Sequence, residues 1–251
     1  MINPMELTGK QILVAGATSE TGLTIVNQLG NLGAKVVMLD IIEKKLPEIE
    51  DITARDNVVL YTFNIYENAE IEAGFNQIVK ECGVFNGFVY CGGIGGVRPL
   101  SLMKYDFIKN MMNANLFSFV EMVRCITKKN RFANRGSIVA ISSVSSIKGL
   151  KSKTAYSASK AALDASVRCL AAELSEKKIR VNSILKGWVE TDMKAAFIKS
   201  NMELNENDDL KKQLLGIIDP IEIANTVAFL LSDATKTITG ISLLLDGGYV
   251  L

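Results

Sequence analysis

Tyr156 and Lys160 stand four residues apart in the run TAYSASKAAL, a spacing that puts both side chains on one face of a helix. An ammonium beside a phenol favours the phenolate and lowers the tyrosine pKa from its reference of about 10. Such a pair could exchange a proton with an alcohol near neutral pH. A tyrosine and a lysine at this interval also occur in ordinary helices, so the pair gains meaning only from its neighbours. One neighbour is Ser143, just beyond the apolar run at 137–141. If that run is a strand, the serine lies at its carboxyl edge, where α/β proteins build their sites.

A second constellation lies near the amino terminus. Residues 12–22 read ILVAGATSETG: an apolar run, Gly16, a small polar loop, Gly22, then a helical pattern. A turn of this kind aims backbone N–H groups and a helix dipole at a pyrophosphate. Gly16 allows the tight turn and Gly22 lets the helix approach the sheet. Glycines in this arrangement also serve purely structural turns. Asp40 follows the next apolar run, where a carboxylate can take hydrogen bonds from an adenosine ribose. The alternative is an ordinary solvated aspartate in a loop.

These residues need a frame, and the chain reads as alternation. Short β-rich apolar runs fall at 11–15, 35–39, 58–62, 87–91, 137–141, 180–184 and 242–245. Most lack polar alternation, as strands buried on both faces of a parallel sheet do. Helical patterns lie between them, at about 22–32, 68–82, 105–129, 155–175 and 220–232. The expectation is an α/β fold: a single Rossmann-type doubly wound domain over 1–251, with a seven-stranded parallel sheet and helices on both faces. The most polar stretch, 199–209, reads as a mobile surface excursion.

Composition narrows the chemistry. The 251 residues contain no histidine, which removes Ser-His-Asp and Cys-His mechanisms and the usual histidine-containing zinc sites. The four cysteines form no CxxC pair, so no metal site is expected, and single scattered thiols fit a reducing compartment. Twenty-eight basic residues against 27 acidic ones leave +1, with no footprint for nucleic acid or a polybasic membrane surface. No apolar run has the length of a membrane span and the first residues lack a signal-peptide pattern. A soluble cytoplasmic protein is the expectation.

Over essentially its whole length the chain resembles the single-domain branch of the short-chain dehydrogenase/reductase superfamily. The resemblance rests on YSASK at 156–160, Ser143 before it, Asn115 in NANLF, VNSILKGWVETDM at 181–193, and the terminal IANTVAFLLSD and ITGISLLLDGGYVL segments. It implies that Tyr156 is the general acid/base and that Lys160 lowers its pKa and binds the nicotinamide ribose. It implies that Ser143 holds the substrate oxygen, and that Asn115 positions a water linking Lys160 to solvent. Cofactor contacts implied in the same way are Gly16, Thr18, Ser19, Thr21, Gly22, Asp40, Asn64, Ile65, Gly93, Tyr156, Lys160, Val189 and Thr191. Asp40, with Ser19 and Ile41 where NADP-using relatives place a base, implies NAD rather than NADP.

The function expected is NAD(H)-dependent interconversion of a secondary alcohol and a ketone. Alternatives are a 3-oxoacyl-thioester reductase, or a catalytically silent relative that only binds cofactor. Partners expected are a small alcohol or ketone substrate and, through an apolar helix after Lys160 and residues 240–251, three further copies in a homotetramer. A variable substrate lid is expected at about 192–216, with Met193, Phe197 and Leu150 as a wall or as ordinary packing.

Four departures from the family pattern stand out. Ala15 and Glu20 interrupt the glycine turn, and Tyr90-Cys91-Gly92-Gly93 replaces an asparagine-rich segment. Asn64 stands for an aspartate at the adenine, and Lys186 stands for a proline before Gly187. Glu20 is expected to point to solvent at a helix start, where a carboxylate suits the dipole.

Overall fold

The computed structural model describes residues 3–41, 47–190 and 211–251. Seven parallel strands form one sheet: β1 Gln11–Ala15, β2 Lys35–Asp40, β3 Val58–Thr62, β4 Phe85–Tyr90, β5 Phe132–Ser143, β6 Arg180–Lys186 and β7 Ser242–Leu245. Their order is β3-β2-β1-β4-β5-β6-β7, so the chain reverses direction across the sheet between β1 and β4. The carboxyl ends of those two strands open the crevice where a doubly wound sheet receives its ligand.

The helices are α1 Glu20–Asn31, α2 Pro47–Thr53, α3 Asn68–Cys82, α4 Tyr105–Met112, α5 Ser118–Ile126, α6 Thr154–Glu173 and α7 Pro220–Leu231. Alternate residues of each strand feed two cores. Ile12 and Val14 meet Ile25, Leu29, Val227 and Leu230 on the α1–α7 face. Leu13 and Ala15 meet Phe75, Phe119, Met122, Leu163 and Val167 on the α3–α5–α6 face. That two-sided burial is why these strands read as unbroken apolar runs.

Three differences from the expected elements have physical reasons. The run 105–129 is not one regular helix: Asn113–Phe117 forms a π-helical turn between α4 and α5. A single wide turn leaves hydrophobic periodicity almost intact, so the sequence does not announce it. β5 begins at Phe132, well before 137, because it runs through Arg135 in a left-handed conformation (φ 65°) and Gly136. Asn-Arg-Gly reads as a turn from composition. The short α2 is acidic and only seven residues long, and lacks a resolvable period.

The expected lid falls mostly on 191–210, outside the described residues, as do the 199–209 excursion, Met193 and Phe197. Residues 211–216 are described and include a buried anchor. Gln213 accepts from Trp188 N at 2.8 Å through Oε1 and donates to Trp188 O at 3.0 Å through Nε2.

Candidate functional site

The first loop is built as its glycines require. Gly16 has φ 76°, and a Cβ there would lie 2.6 Å from Gly92 N; at Gly22 it would lie 2.4 Å from Gly16 O. No other residue fits either place without moving backbone. Ser19 caps α1, accepting from Gly22 N at 3.1 Å and donating to Gly16 O at 2.9 Å. Glu20 is exposed in the first turn of α1, as its helix-start position suggests. Thr21, in the next position of the helix, is half-buried.

Asp40 ends β2 and is turned back onto this loop. One carboxylate oxygen accepts from Thr18 N at 2.8 Å and Thr18 Oγ1 at 2.7 Å; the other accepts from Ile41 N at 2.8 Å. Three donors fix the carboxylate at the rim of the β1–β4 crevice, and a carboxylate retains lone pairs beyond these. Farther along the rim, Ile65 is buried in the core and Asn64 is half-buried. Asn64 Oδ1 already accepts from Tyr66 N at 3.0 Å, which leaves its amide N–H groups to offer a base.

Beyond β4 the chain passes under the same crevice. Tyr90 donates to Ala114 O at 2.5 Å and its ring lies 5.4 Å from that of Phe119. The aromatic residue thus ties the strand to the π-turn, a task the sequence alone did not assign to it. Cys91 is enclosed, and burial pushes its thiol up to about 12. Gly93 has φ 143°, and a Cβ there would stand 2.5 Å from Asn115 Oδ1 and 3.6 Å from Lys160 Nζ.

Asn115 is fully buried in the π-turn, and its amide is a clamp. Oδ1 accepts from Ile94 N at 2.9 Å, while Nδ2 donates to Ile94 O at 3.0 Å and Ser159 Oγ at 2.8 Å. Its side chain therefore holds the 93–94 segment against α6 and does not itself touch Lys160's hydrogen-bond partner. Ser159 and Ile94 complete this clamp. Ser159 sits within YSASK, but nothing in its type marks the contact, and Ile94 contributes only backbone.

The reacting end is assembled from β5 and α6. Ser143 is the last residue of β5, and its hydroxyl accepts from Ser145 N at 3.2 Å. Tyr156 and Lys160 lie in the first two turns of α6, on the side facing the sheet. Tyr156 and Ser143 line the same cleft, and the Ser143 hydroxyl donates to Ser145 Oγ at 3.2 Å. Lys160 Nζ donates to Ile141 O at 2.9 Å.

The electrostatics differ from the expected pairing. Burial pushes the Tyr156 phenol up, and the influence of the Ser143 side chain, not of Lys160, pulls it back. Burial pushes Lys160 down to about 8; Lys186 pushes it the same way, while Asp164 and Cys91 oppose. The lysine is committed to a main-chain carbonyl of β5, one helical turn beyond Tyr156.

A cleft of about 320 Å³ opens above these groups, lined by Ser143, Tyr156, Leu150, Lys186, Trp188 and Tyr249 among others. Leu150 therefore does belong to a wall, with Trp188 and Tyr249 as aromatic partners that the sequence did not single out. Val189 is buried and bridges to Ile218, so its backbone is fixed beside the cleft. Thr191 lies outside the described residues. A slightly larger cavity, about 350 Å³, opens at the opposite edge of the sheet among Lys10, Arg135, Arg180 and Asp233, and contains none of these groups.

The loop and crevice fit a dinucleotide: two positions where a Cβ has no room, a helix start, and a fixed carboxylate at the end of β2. No described helix is long and apolar enough to cross a membrane.

Comparison with known proteins agrees with this architecture. A family model described as Enoyl-(Acyl carrier protein) reductase matches residues 16–250. The 3-oxoacyl-(acyl-carrier-protein) reductase of Vibrio harveyi is 30% identical, over 97% of this chain and 98% of its own. The L-xylulose reductase of Caenorhabditis elegans is 33% identical, over 97% of each. Among solved structures, a short-chain dehydrogenase/reductase from Serratia marcescens BCRC 10948 superposes with a TM-score of 0.87 at 25% identity, covering 99% of this chain and 100% of that one. The chain belongs to the short-chain dehydrogenase/reductase family of nicotinamide-dependent oxidoreductases.

Proposed function

We propose that the protein interconverts a secondary alcohol and a ketone, with Tyr156 as general acid/base. The observation that carries this reading is that one cleft is lined by both Ser143 and Tyr156, with Lys160 anchored to Ile141 O one helical turn beyond the tyrosine. A nicotinamide cofactor supplies or accepts the hydride. Tyr156 gives its proton to a carbonyl oxygen in reduction and takes one from the alcohol in oxidation. Ser143 donates to the same oxygen and holds it in line with the phenol. Lys160 supplies a fixed positive charge that favours the phenolate as the proton leaves. Asn115 is a positioning residue: it sets the height of Gly93 and Ile94 against α6.

The cofactor we assign is NAD. A 2′-phosphate would add about two negative charges beside the fixed Asp40 carboxylate. Ser19 and Ile41 offer no cation in the described neighbourhood, and Glu20 adds to the negative field. Thr18, Gly22 and Gly93 would face the cofactor through backbone, and Asn64 through its amide. A 3-oxoacyl-thioester reductase is the second reading, supported by the resemblance to the Vibrio harveyi enzyme.

We read the chain as one domain and the assembly as a homotetramer. The outer face of α6 exposes Ala158, Ala161, Ala165 and Ala172, small residues that let a second helix approach closely. Leu244 on edge strand β7 and the terminal Leu251 are exposed as well. A panel of alcohols and ketones followed at the NADH absorbance tests the activity. Turnover of at least one secondary alcohol or ketone is the expected result; none with either cofactor would leave the silent, cofactor-binding alternative.

A further inference from the structure

We propose that Lys186 is an anion anchor in the substrate cleft, and that the natural substrate is a small alcohol or ketone carrying a carboxylate. The inference rests on the oxidoreductase reading above and adds the chemical class of its substrate.

Position comes first. Ser143 and Lys186 are the final residues of β5 and β6 and are direct partners in the parallel register. Neighbouring strands lie about 4.8 Å apart, so both side chains leave the sheet side by side at its carboxyl edge. Both line the same cleft as Tyr156. A carbonyl oxygen held by Ser143 and Tyr156 therefore has a lysine stem within a few bonds of its own carbon skeleton.

Charge comes second. The described lining of the cleft contains two lysines, Lys153 and Lys186, and no carboxylate. Lys153 lies 5.1 Å from the Trp188 ring centroid, and Lys148 approaches from behind Tyr249, donating to its carbonyl at 2.6 Å. Lys160 is likewise satisfied by Ile141 O. Lys186 is the exception: among the described residues its half-buried ammonium has no hydrogen-bond or ion-pair partner.

An ammonium partly withdrawn from water, beside other ammonium groups, is an unfavourable arrangement until a counter-charge arrives. Burial pushes Lys186 down and Lys153 adds to the effect; Lys186 in turn pushes down Lys160. A single carboxylate entering the cleft relieves both repulsions and pairs the one uncommitted donor. Size completes the description. About 320 Å³ is at the small end of ligand clefts, and its walls of Leu150, Val144, Trp188 and Tyr249 suit a short carbon chain.

The experiment compares acids with their own neutral esters: pyruvate with methyl pyruvate, and acetoacetate with methyl acetoacetate. The wild-type protein should favour the acid in kcat/KM for at least one pair, by about tenfold or more. Lys186→Met keeps the apolar stem and removes the charge, and should cut that acid-to-ester ratio by about tenfold, whereas Lys186→Arg should keep most of it. An unchanged ratio in Lys186→Met overturns the proposal. So does an unchanged ratio accompanied by altered NAD or NADH affinity, which would give the charge to the cofactor.

If no acid or ester is turned over, the activity reading is what has failed, and binding decides the rest. Succinate binding, with and without NAD, can be followed on the fluorescence of Trp188, the chain's one tryptophan. Binding weakened about tenfold in Lys186→Met upholds the anion anchor; equal binding, or none to the wild type, overturns it.

Discussion

At the scale of single residues, the site is a set of charges held by main-chain carbonyls and one another, and pH should expose them. Lys160 is pushed from 10.5 down to about 8 by burial and by Lys186. In the folded protein its ammonium is lost as pH rises through that value, while the unfolded chain keeps its proton to about 10.4. The unfolded state then binds more protons in that window, so this group makes folding more favourable as pH rises across it. Turnover that uses the ammonium should run the other way and fall above about pH 8. Lys186→Met removes a like charge, so the fall should move to higher pH in a kcat/KM profile taken with a neutral substrate. A limb that stays in place would separate the two lysines. Asp40 makes a second residue-scale prediction. Its replacement by Ala removes the negative charge and the hydrogen bonds to Thr18. NAD preference should narrow, and Asp40→Ala with Ser19→Arg should reverse it; kcat/KM for both cofactors with one substrate is the measure. Equal use of NADPH by the unmodified protein would mean that the carboxylate does not face the ribose. Because Thr18 N–H loses its buried acceptor, Asp40→Ala should also cost about 1–3 kcal/mol in stability.

At the scale of elements, the site depends on a clamp joining β4, the π-turn and α6. Ser159 is fully buried and receives the Asn115 amide at 2.8 Å while donating to Tyr156 O at 2.7 Å. Ser159→Ala leaves the amide short of one acceptor, at a cost of about 1–3 kcal/mol, readable as a lower urea midpoint with unchanged slope. Turnover should fall with it, since Asn115 keeps its bonds to Ile94 but loses its tie to α6. Stability equal to wild type would show that the clamp holds without the serine. The same elements mark what a sequence discloses. Strands at 11–15, 58–62 and 242–245 and the helix at 68–82 were legible to the residue, because apolar runs between turn signals leave little choice of boundary. Ser143, Tyr156 and Lys160 were legible as a group, because strand end and helix start fix their places. The π-turn was not, since one wide turn barely disturbs the period. Nor was the use of Asn115 as a clamp, which depends on Ile94 backbone atoms that no residue type reveals. That Ser143 rather than Lys160 offsets the burial of the Tyr156 phenol depends on side-chain placement and burial, which spacing does not encode. Gln213's hold on Trp188 has no local signal at all.

At the scale of the whole molecule, two surfaces are more apolar than solvent favours. One includes the exposed alanines of α6 and, near α4 and α5, exposed Leu100, Tyr105 and Phe117; the other is the β7 edge with exposed Leu244 and Leu251. Exposed apolar residues that group on a surface favour contact between chains, and an edge strand favours cover. The proposed homotetramer needs two such faces on each chain, one for each two-fold axis. Light scattering at micromolar concentration should give four times the chain mass of 27.3 kDa, and a monomeric mass would refute the assembly.

The central claim is that Tyr156 carries the proton, and Tyr156→Phe tests it most directly. The substitution removes one oxygen from a half-buried ring and leaves the glycine loop, Asp40 and Lys160's bond to Ile141 O in place. NADH binding, read on Trp188 fluorescence, should stay near the wild-type value, while kcat should fall by about a hundred- to ten-thousand-fold. Retention of more than about a tenth of wild-type turnover with cofactor binding intact would assign the proton to another group and contradict the mechanism.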